Sequence, residues 1–328
     1  MDDHVLIYIY NHGFPDYSID YVGEEDDVKF ELTNWNLSTD NERYRLEVLK
    51  DFVPENTRLS RFCSKMRDIC LESGQIDRLS EKSGISKFIF ITFNTNGIGK
   101  FSQRGEFYDK TLVKDMYDIE TIADYFSGKL FKYSKLIMIG ISTGAFLTFS
   151  YSTNHTRRCI SNHGDNVDNS YFISNSNLIG LVCVACVDDI PKSYCLDFSE
   201  TQLNEFSELG YTRVSLIGNK SNKLNIGTRL ISRDYMESYK IFPSFNFLLE
   251  NKKKVINYPI LLIHGTDDQS VPFYMSLNLL NLNNEAPNSN DKKYIRLVEI
   301  NHGNHLLTNS KHMKKAQSNI SSFIYEII

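Results

Sequence analysis

Short runs of β-branched and aromatic residues alternate along the chain with helical stripes, the pattern of a parallel sheet covered by helices. Strand-like runs lie at 5–10, 88–93, 136–139, 178–187, 260–263 and 294–300. Most are nearly continuous in apolar character, as strands buried on both faces should be. Between them, Leu59, Phe62, Cys63, Met66, Ile69 and Cys70 fall on one 3.6-period stripe, with Gly74 as its expected stop. Leu112, Met116, Ile119, Ala123 and Phe126 form a second stripe ending at Gly128, and Met313, Ala316, Ile320, Phe323, Ile324 and Ile327 form the last. No internal repeat is present.

Four stretches break the rhythm. Residues 16–55 are polar and acidic, although Val28, Phe30 and Leu32 alternate like an edge strand. Residues 154–177 are rich in Asn, Ser and His and read as a surface loop. Residues 188–254 are too long for a connection and predict a small subdomain. Within it, two β-rich runs at 214–217 and 228–231 flank a polar turn, predicting a hairpin followed by a helix from Arg233. Residues 281–292 form a turn-rich insertion. Such insertions are tolerated because loop-closure entropy grows slowly with length.

Composition narrows the class. The 328 residues (37.9 kDa) are 41% hydrophobic and 23% charged, enough for a sizeable core, and Gly and Pro are too few for a collagen or a low-complexity linker. A net charge of −5 with no dense basic block disfavours sequence-independent nucleic-acid binding, which requires phosphate neutralisation. The longest apolar runs fall short of the roughly 18 residues of a membrane span. The start, Met1-Asp2-Asp3-His4, lacks a signal-peptide pattern, so a cytoplasmic protein with reduced thiols is expected.

The strongest chemical signal is Gly140-Ile141-Ser142-Thr143-Gly144, between a buried strand and a helical run. That context is a nucleophile elbow: the turn holds Ser142 in a strained conformation, and side chains at the glycine positions would collide with the neighbouring strand and helix. Alone, the pattern also fits an ordinary glycine turn. Asn11-His12-Gly13-Phe14 follows the first strand, where a hydrolase of this design needs a second oxyanion donor. Phe14 N–H and Thr143 N–H are the expected pair. Asp267 and Asp268 follow the strand at 260–263, where a carboxylate can orient an imidazole, and Asp267 reads as an acidic turn capping the following helix. His302 and His305 share the loop after the last strand, and either could swing toward Ser142 about Gly303. Cys183 and Cys186 have metal-like spacing but sit in an apolar run without a second pair, on opposite faces or nearly so, and read as core. His264 reads as part of a strand-end turn.

The chain order Ser, Asp, His resembles the α/β-hydrolase superfamily, and within it small-cap carboxylesterases of the cinnamoyl/feruloyl-esterase type, related to the serine aminopeptidase-like group. Asn96-Gly97-Ile98-Gly99-Lys100 is similar to the family's R-G-x-G loop, with Asn96 in place of Arg. The segment from Glu106 to Leu112, with Asp118, and the segment from Thr228 to Met236 resemble its next-helix lead and its cap. The resemblance implies an α/β-hydrolase fold with about six core strands, helices on both faces and a small inserted cap. The core would be 1–187 and 255–328 and the cap 188–254. It implies the acid at Asp268, three residues past Gly265, and the base at His305, by the family's I-P-G-x-G-H ending. The strand pair that precedes the His-Gly strand in the family is missing, so the fold is trimmed, the run at 28–32 supplies an edge, or the sequence is truncated. The activity implied is hydrolysis of a small-molecule carboxylic ester through an acyl-enzyme, with no cofactor or metal. A thioesterase, lysophospholipase or peptidase on the same triad, or a non-catalytic binding protein, are the alternatives.

Overall fold

Every residue of the first strand, β1 (Val5–Asn11), is buried, and it pairs in parallel with a strand on each side. The computed structural model describes residues 4–15, 18–21, 57–95, 97–98, 107–152, 177–215, 228–255, 258–282 and 294–328. The expected edge strand at 28–32, most of the loop 154–177, the 218–227 turn and nearly all of the 281–292 insertion lie outside them, as do Asn96, Gly99, Lys100 and Glu106.

After β1 come the short strands β2 (Ile19–Tyr21) and β3 (Thr57–Leu59), which pair with each other, then helices α1 (Arg61–Cys70) and α2 (Ser73–Ser83) and strand β4 (Lys87–Thr92). Helix α3 (Leu112–Ala123), strand β5 (Lys135–Ile141), helix α4 (Thr143–Ser152) and strand β6 (Leu178–Val184) follow. Between β6 and strand β9 (Ile260–Gly265) the described chain holds α5 (Ile190–Asp197), α6 (Glu200–Leu209), the antiparallel hairpin β7 (Tyr211–Ser215) with β8 (Thr228–Ser232), α7 (Arg233–Ser238) and α8 (Phe245–Val255). Helix α9 (Tyr274–Asn281), strand β10 (Ile295–Ile300) and helix α10 (Ser310–Ile327) complete it.

The six long strands form one sheet in the order β10-β9-β6-β5-β1-β4, every described pair parallel. Alternation of side chains along β1 divides the core. Val5, Ile7 and Ile9 pack with α3, α4, α9 and the 190–255 segment, whereas Leu6, Tyr8 and Tyr10 pack with α1, α2 and α10. Helix α4 is buried at all ten positions, which its nearly all-apolar sequence permits. All six predicted long strands are present, and the hairpin forms with Val214 opposite Arg229, its first strand beginning three residues earlier than expected.

Three local expectations are corrected. Gly74 does not end the first stripe: α1 stops at Cys70, Gly74 lies inside α2, and the left-handed stop is Gly84 at φ 70°. Gly128 does not end the second, because α3 runs on as a π-helical turn from Asp124 to Leu130. The run at 178–187 stops as a strand at Val184, since Ala185 adopts φ 49°. That bend carries Cys186 into the same core layer as Cys183, rather than to the opposite face.

Candidate active site

The candidate residues follow the carboxyl ends of the sheet strands, the edge where open α/β sheets bind ligands. Ser142 follows β5 at φ 55°, a region costly for a residue with a Cβ, by about 1–3 kcal/mol. Its N–H donates to Val184 O at 2.9 Å and its carbonyl accepts from Ala145 N–H at 2.9 Å, so the turn is tied to both β6 and α4. The flanking glycines are sterically required. A Cβ on Gly140 would lie 2.4 Å from Gly144 O, and one on Gly144 would lie 2.2 Å from His12 O. The His-Gly turn therefore abuts the serine turn, and a Cβ on Gly13 would fall 2.9 Å from Ser142 Cβ. Neither Phe14 N–H nor Thr143 N–H is hydrogen-bonded to another described residue, and Thr143 opens α4, whose dipole favours negative charge there.

The two aspartates and two histidines separate cleanly. Asp268 Oδ2 accepts from His305 Nδ1 at 2.7 Å, with the Asp268 side chain fully buried and that of His305 21% exposed. Asp267 Oδ2 lies 3.2 Å from Nδ1 of His302, whose side chain is 86% exposed. Gly265 and Gly303 make this possible by close backbone approach: a Cβ on Gly265 would meet Gly303 O at 2.2 Å. Asp268 is held by more than His305. Its Oδ1 accepts from Ser270 N–H at 2.8 Å and Val271 N–H at 2.9 Å, and its Oδ2 lies 3.3 Å from His264 Nε2. Burial raises its pKa, but the bonds from His264, His305 and Val271 outweigh burial and hold the carboxyl well below the usual range. An ionised Asp268 is an acceptor only, so the His305 proton that faces it is on Nδ1. No hydrogen bond joins Ser142 to His305 among the described residues.

His264 is more than a turn residue. Its Nε2 faces two acceptors, Val271 O at 2.9 Å and Asp268, so Nε2 is protonated and Nδ1 accepts from Ser276 Oγ at 2.7 Å. Sequence reading missed this because the partner Ser276 is twelve residues away, on α9.

Aromatic residues from the 190–255 segment pack on the His12–Phe14 turn. Phe14 stacks on Tyr235 at 4.4 Å between ring centroids and also meets Phe198 at 5.9 Å and Phe107 at 6.3 Å. Beside them, Tyr239 donates its hydroxyl to Asp197. Burial pushes the Asp197 carboxyl up to about 6, against the opposing effects of that bond and of nearby His305. Asp197 was not singled out in the sequence, where it is one acid among many.

Under the same turn, His12 Nδ1 donates to Gly13 O at 2.9 Å and Nε2 accepts from Thr95 N–H at 3.1 Å. Burial first, then the Lys110 charge, drive its pKa down to about 3 despite the Gly13 carbonyl, so the ring is neutral. Among the described residues no cluster of His, Cys, Asp or Glu is arranged to hold a metal ion, and no helix is long and apolar enough to cross a membrane.

No protein-family model matches the sequence, and no curated protein matches it. Solved structures do match its architecture. Alpha/beta hydrolase domain-containing protein 10 from mouse superposes with a TM-score of 0.54 at 17% identity, covering 98% of this chain and 90% of that one. Est1E from Butyrivibrio proteoclasticus, solved with ferulic acid bound, gives 0.51 at 15% identity over 98% and 89%. The monoacylglycerol lipase of Paleococcus ferrophilus gives 0.52 at 14% identity over 99% and 97%. With a six-stranded parallel sheet covered on both faces and these structural neighbours, the chain has the α/β-hydrolase fold.

Proposed function

We propose that the protein is a serine hydrolase that cleaves small-molecule carboxylic esters through an acyl-enzyme. The observation that carries this reading is the Asp268–His305 pair at 2.7 Å, its carboxylate fully buried, at the same sheet edge as a serine held at positive φ. Ser142 Oγ is the nucleophile and His305 Nε2 takes its proton, while Asp268 stabilises the imidazolium that forms. Phe14 and Thr143 N–H groups receive the oxyanion of the tetrahedral intermediate. His305 then returns the proton to the departing alcohol, and water resolves the acyl-enzyme by the same steps. Proton transfer requires Ser142 and His305 to come into hydrogen-bond contact once substrate is bound, and such bonds often tighten only in the complex.

In this reading residues 188–254 are the cap and 1–187 with 255–328 the core. The contacts of Phe198 and Tyr235 with Phe14 support it, since they set the segment against the oxyanion turn. An apolar wall beside a few polar groups is the usual composition of a ligand site. The names of two structural neighbours, a monoacylglycerol lipase and a protein holding ferulic acid, are consistent with an ester substrate. The triad itself does not choose among esters, thioesters and amides. The test is hydrolysis of p-nitrophenyl acetate by wild type and Ser142→Ala. Loss of only one hydroxyl should leave the fold intact and lower kcat by about 10⁴-fold or more, and activity near wild type would assign the reaction elsewhere.

A further inference from the structure

Lys110 and Asp115 form a charge pair in the interior, 2.5 Å apart, with side chains 1% and 5% exposed. Replacing such a pair by apolar residues is often neutral or stabilising, so fold stability does not by itself account for it. What the pair touches is informative. Lys110 Nζ also donates to Thr95 Oγ1 at 2.7 Å. Thr95 in turn presents its N–H at 3.1 Å and its hydroxyl at 3.3 Å to His12 Nε2. His12 Nδ1 donates to Gly13 O, which belongs to the peptide whose N–H is the oxyanion donor Phe14. That peptide is trans, so its C=O and N–H lie in one plane and point in opposite directions. Fixing Gly13 O therefore fixes the direction of Phe14 N–H.

We propose that Lys110, held by Asp115, is a positioning residue that orients the Phe14 N–H through Thr95 and His12, a reading that rests on the hydrolase function above. The chain of contacts admits one state of the imidazole. A proton on Nε2 would face the Thr95 N–H, donor against donor, and a doubly protonated ring would also face the Lys110 ammonium. The surviving form, protonated on Nδ1 alone, is the one that grips Gly13 O. The backbone N–H of Lys110 bonds Phe107 O at 3.3 Å, and the Phe107 ring meets Phe14 at 6.3 Å, so the lysine is anchored beside the turn it serves.

The test compares Lys110→Met/Asp115→Leu, which removes both charges together, with Thr95→Val and Thr95→Ser. Each is assayed for kcat and KM on p-nitrophenyl acetate, and for inhibition by an alkyl trifluoromethyl ketone, which forms an anionic tetrahedral adduct. The ¹⁵N shifts of the His12 ring are recorded as an activity-independent readout. The double variant and Thr95→Val should lose about 10- to 100-fold in kcat with KM within about twofold, as expected for a weakened oxyanion donor. Ketone affinity should fall by the same factor, Thr95→Ser should stay near wild type, and in Thr95→Val the His12 Nε2 shift should move as that nitrogen loses the Thr95 hydroxyl. A folded double variant with wild-type kcat and ketone affinity overturns the proposal. If that variant does not fold, wild-type behaviour of Thr95→Val overturns it equally. If wild-type protein neither hydrolyses the ester nor reacts at Ser142 with a fluorophosphonate, the hydrolase reading fails instead. The His12 shifts then decide the positioning claim alone, and an unchanged His12 Nε2 shift in Thr95→Val refutes it.

Discussion

Asp268→Asn is the substitution whose consequences the structure specifies most closely. Asp268 Oδ1 accepts two backbone N–H groups and Oδ2 accepts from His305 and His264. An amide in the same place keeps its oxygen toward Ser270 and Val271 and turns Nδ2, a donor, toward both histidines. His305 can respond by moving its proton to Nε2, so that Nδ1 accepts from the amide. His264 cannot, because Nε2–H is also held by Val271 O. Relocating the His305 proton leaves no lone pair for the Ser142 hydroxyl, a loss of about 10⁴ in kcat for a triad of this design. That factor corresponds to about 5.4 kcal/mol of barrier. One buried bond to a charged acceptor is also lost, about 1.5–3 kcal/mol of stability, so the variant should melt lower yet remain folded at 25 °C. The assay is kcat on p-nitrophenyl acetate near neutral pH, with circular dichroism and a thermal melt alongside. Asp267→Asn is the control: its partner His302 is largely in solvent, and kcat should change less than about twofold. A folded Asp268→Asn with kcat within tenfold of wild type would refute the reasoning, as would a crippled Asp267→Asn.

The histidines divide in the same way: His305→Ala should abolish measurable turnover and His302→Ala should leave it within about twofold, compared on one ester at one pH. The reverse ranking would move the base to the exposed pair. Asp197→Asn tests the buried acid near His305. A carboxyl whose folded pKa is raised to about 6 binds its proton more tightly folded than unfolded, so its stability contribution is present at low pH and lost as pH rises from about 4 through 6. Removing the charge should therefore stabilise the fold relative to wild type at pH 8 by up to about 3 kcal/mol, seen as a higher melting temperature, and much less at pH 4.5. A difference between the two proteins that does not vary with pH would contradict the assignment.

Much of the architecture was legible because it rests on burial. A run such as the one at β1 can be apolar at consecutive positions only if both faces of the sheet are covered. The serine turn was legible for a steric reason, since Gly140 and Gly144 stand where backbone from a neighbouring segment leaves no space for a Cβ. Helix α2 was missed because only Leu79 and Gln75 are buried on it, and so sparse a stripe does not register against polar neighbours. The π-helical extension of α3 left no local sign, and the stop at Val184 depends on Ala185 at positive φ, a residue that carries no such preference. Lys110 escaped notice for a physical reason as well. Lysine is among the residues least often buried, and what keeps it inside is an ion pair five residues away together with Thr95 on a distant loop. The role of His264 was hidden likewise, because its partners Ser276 and Asp268 are brought to it only by the fold of the chain after β9.

The central claim is that Ser142 is a nucleophile activated by the His305–Asp268 pair. Incubating the full chain with a fluorophosphonate and measuring intact mass, followed by peptide mapping, tests it most directly, because the phosphorus centre reports nucleophilicity without presuming a substrate. The account predicts one adduct per chain, mapped to Ser142, absent in Ser142→Ala and formed far more slowly in His305→Ala. No adduct under conditions that label an authentic serine esterase, or an adduct at another residue that persists in Ser142→Ala, would contradict it.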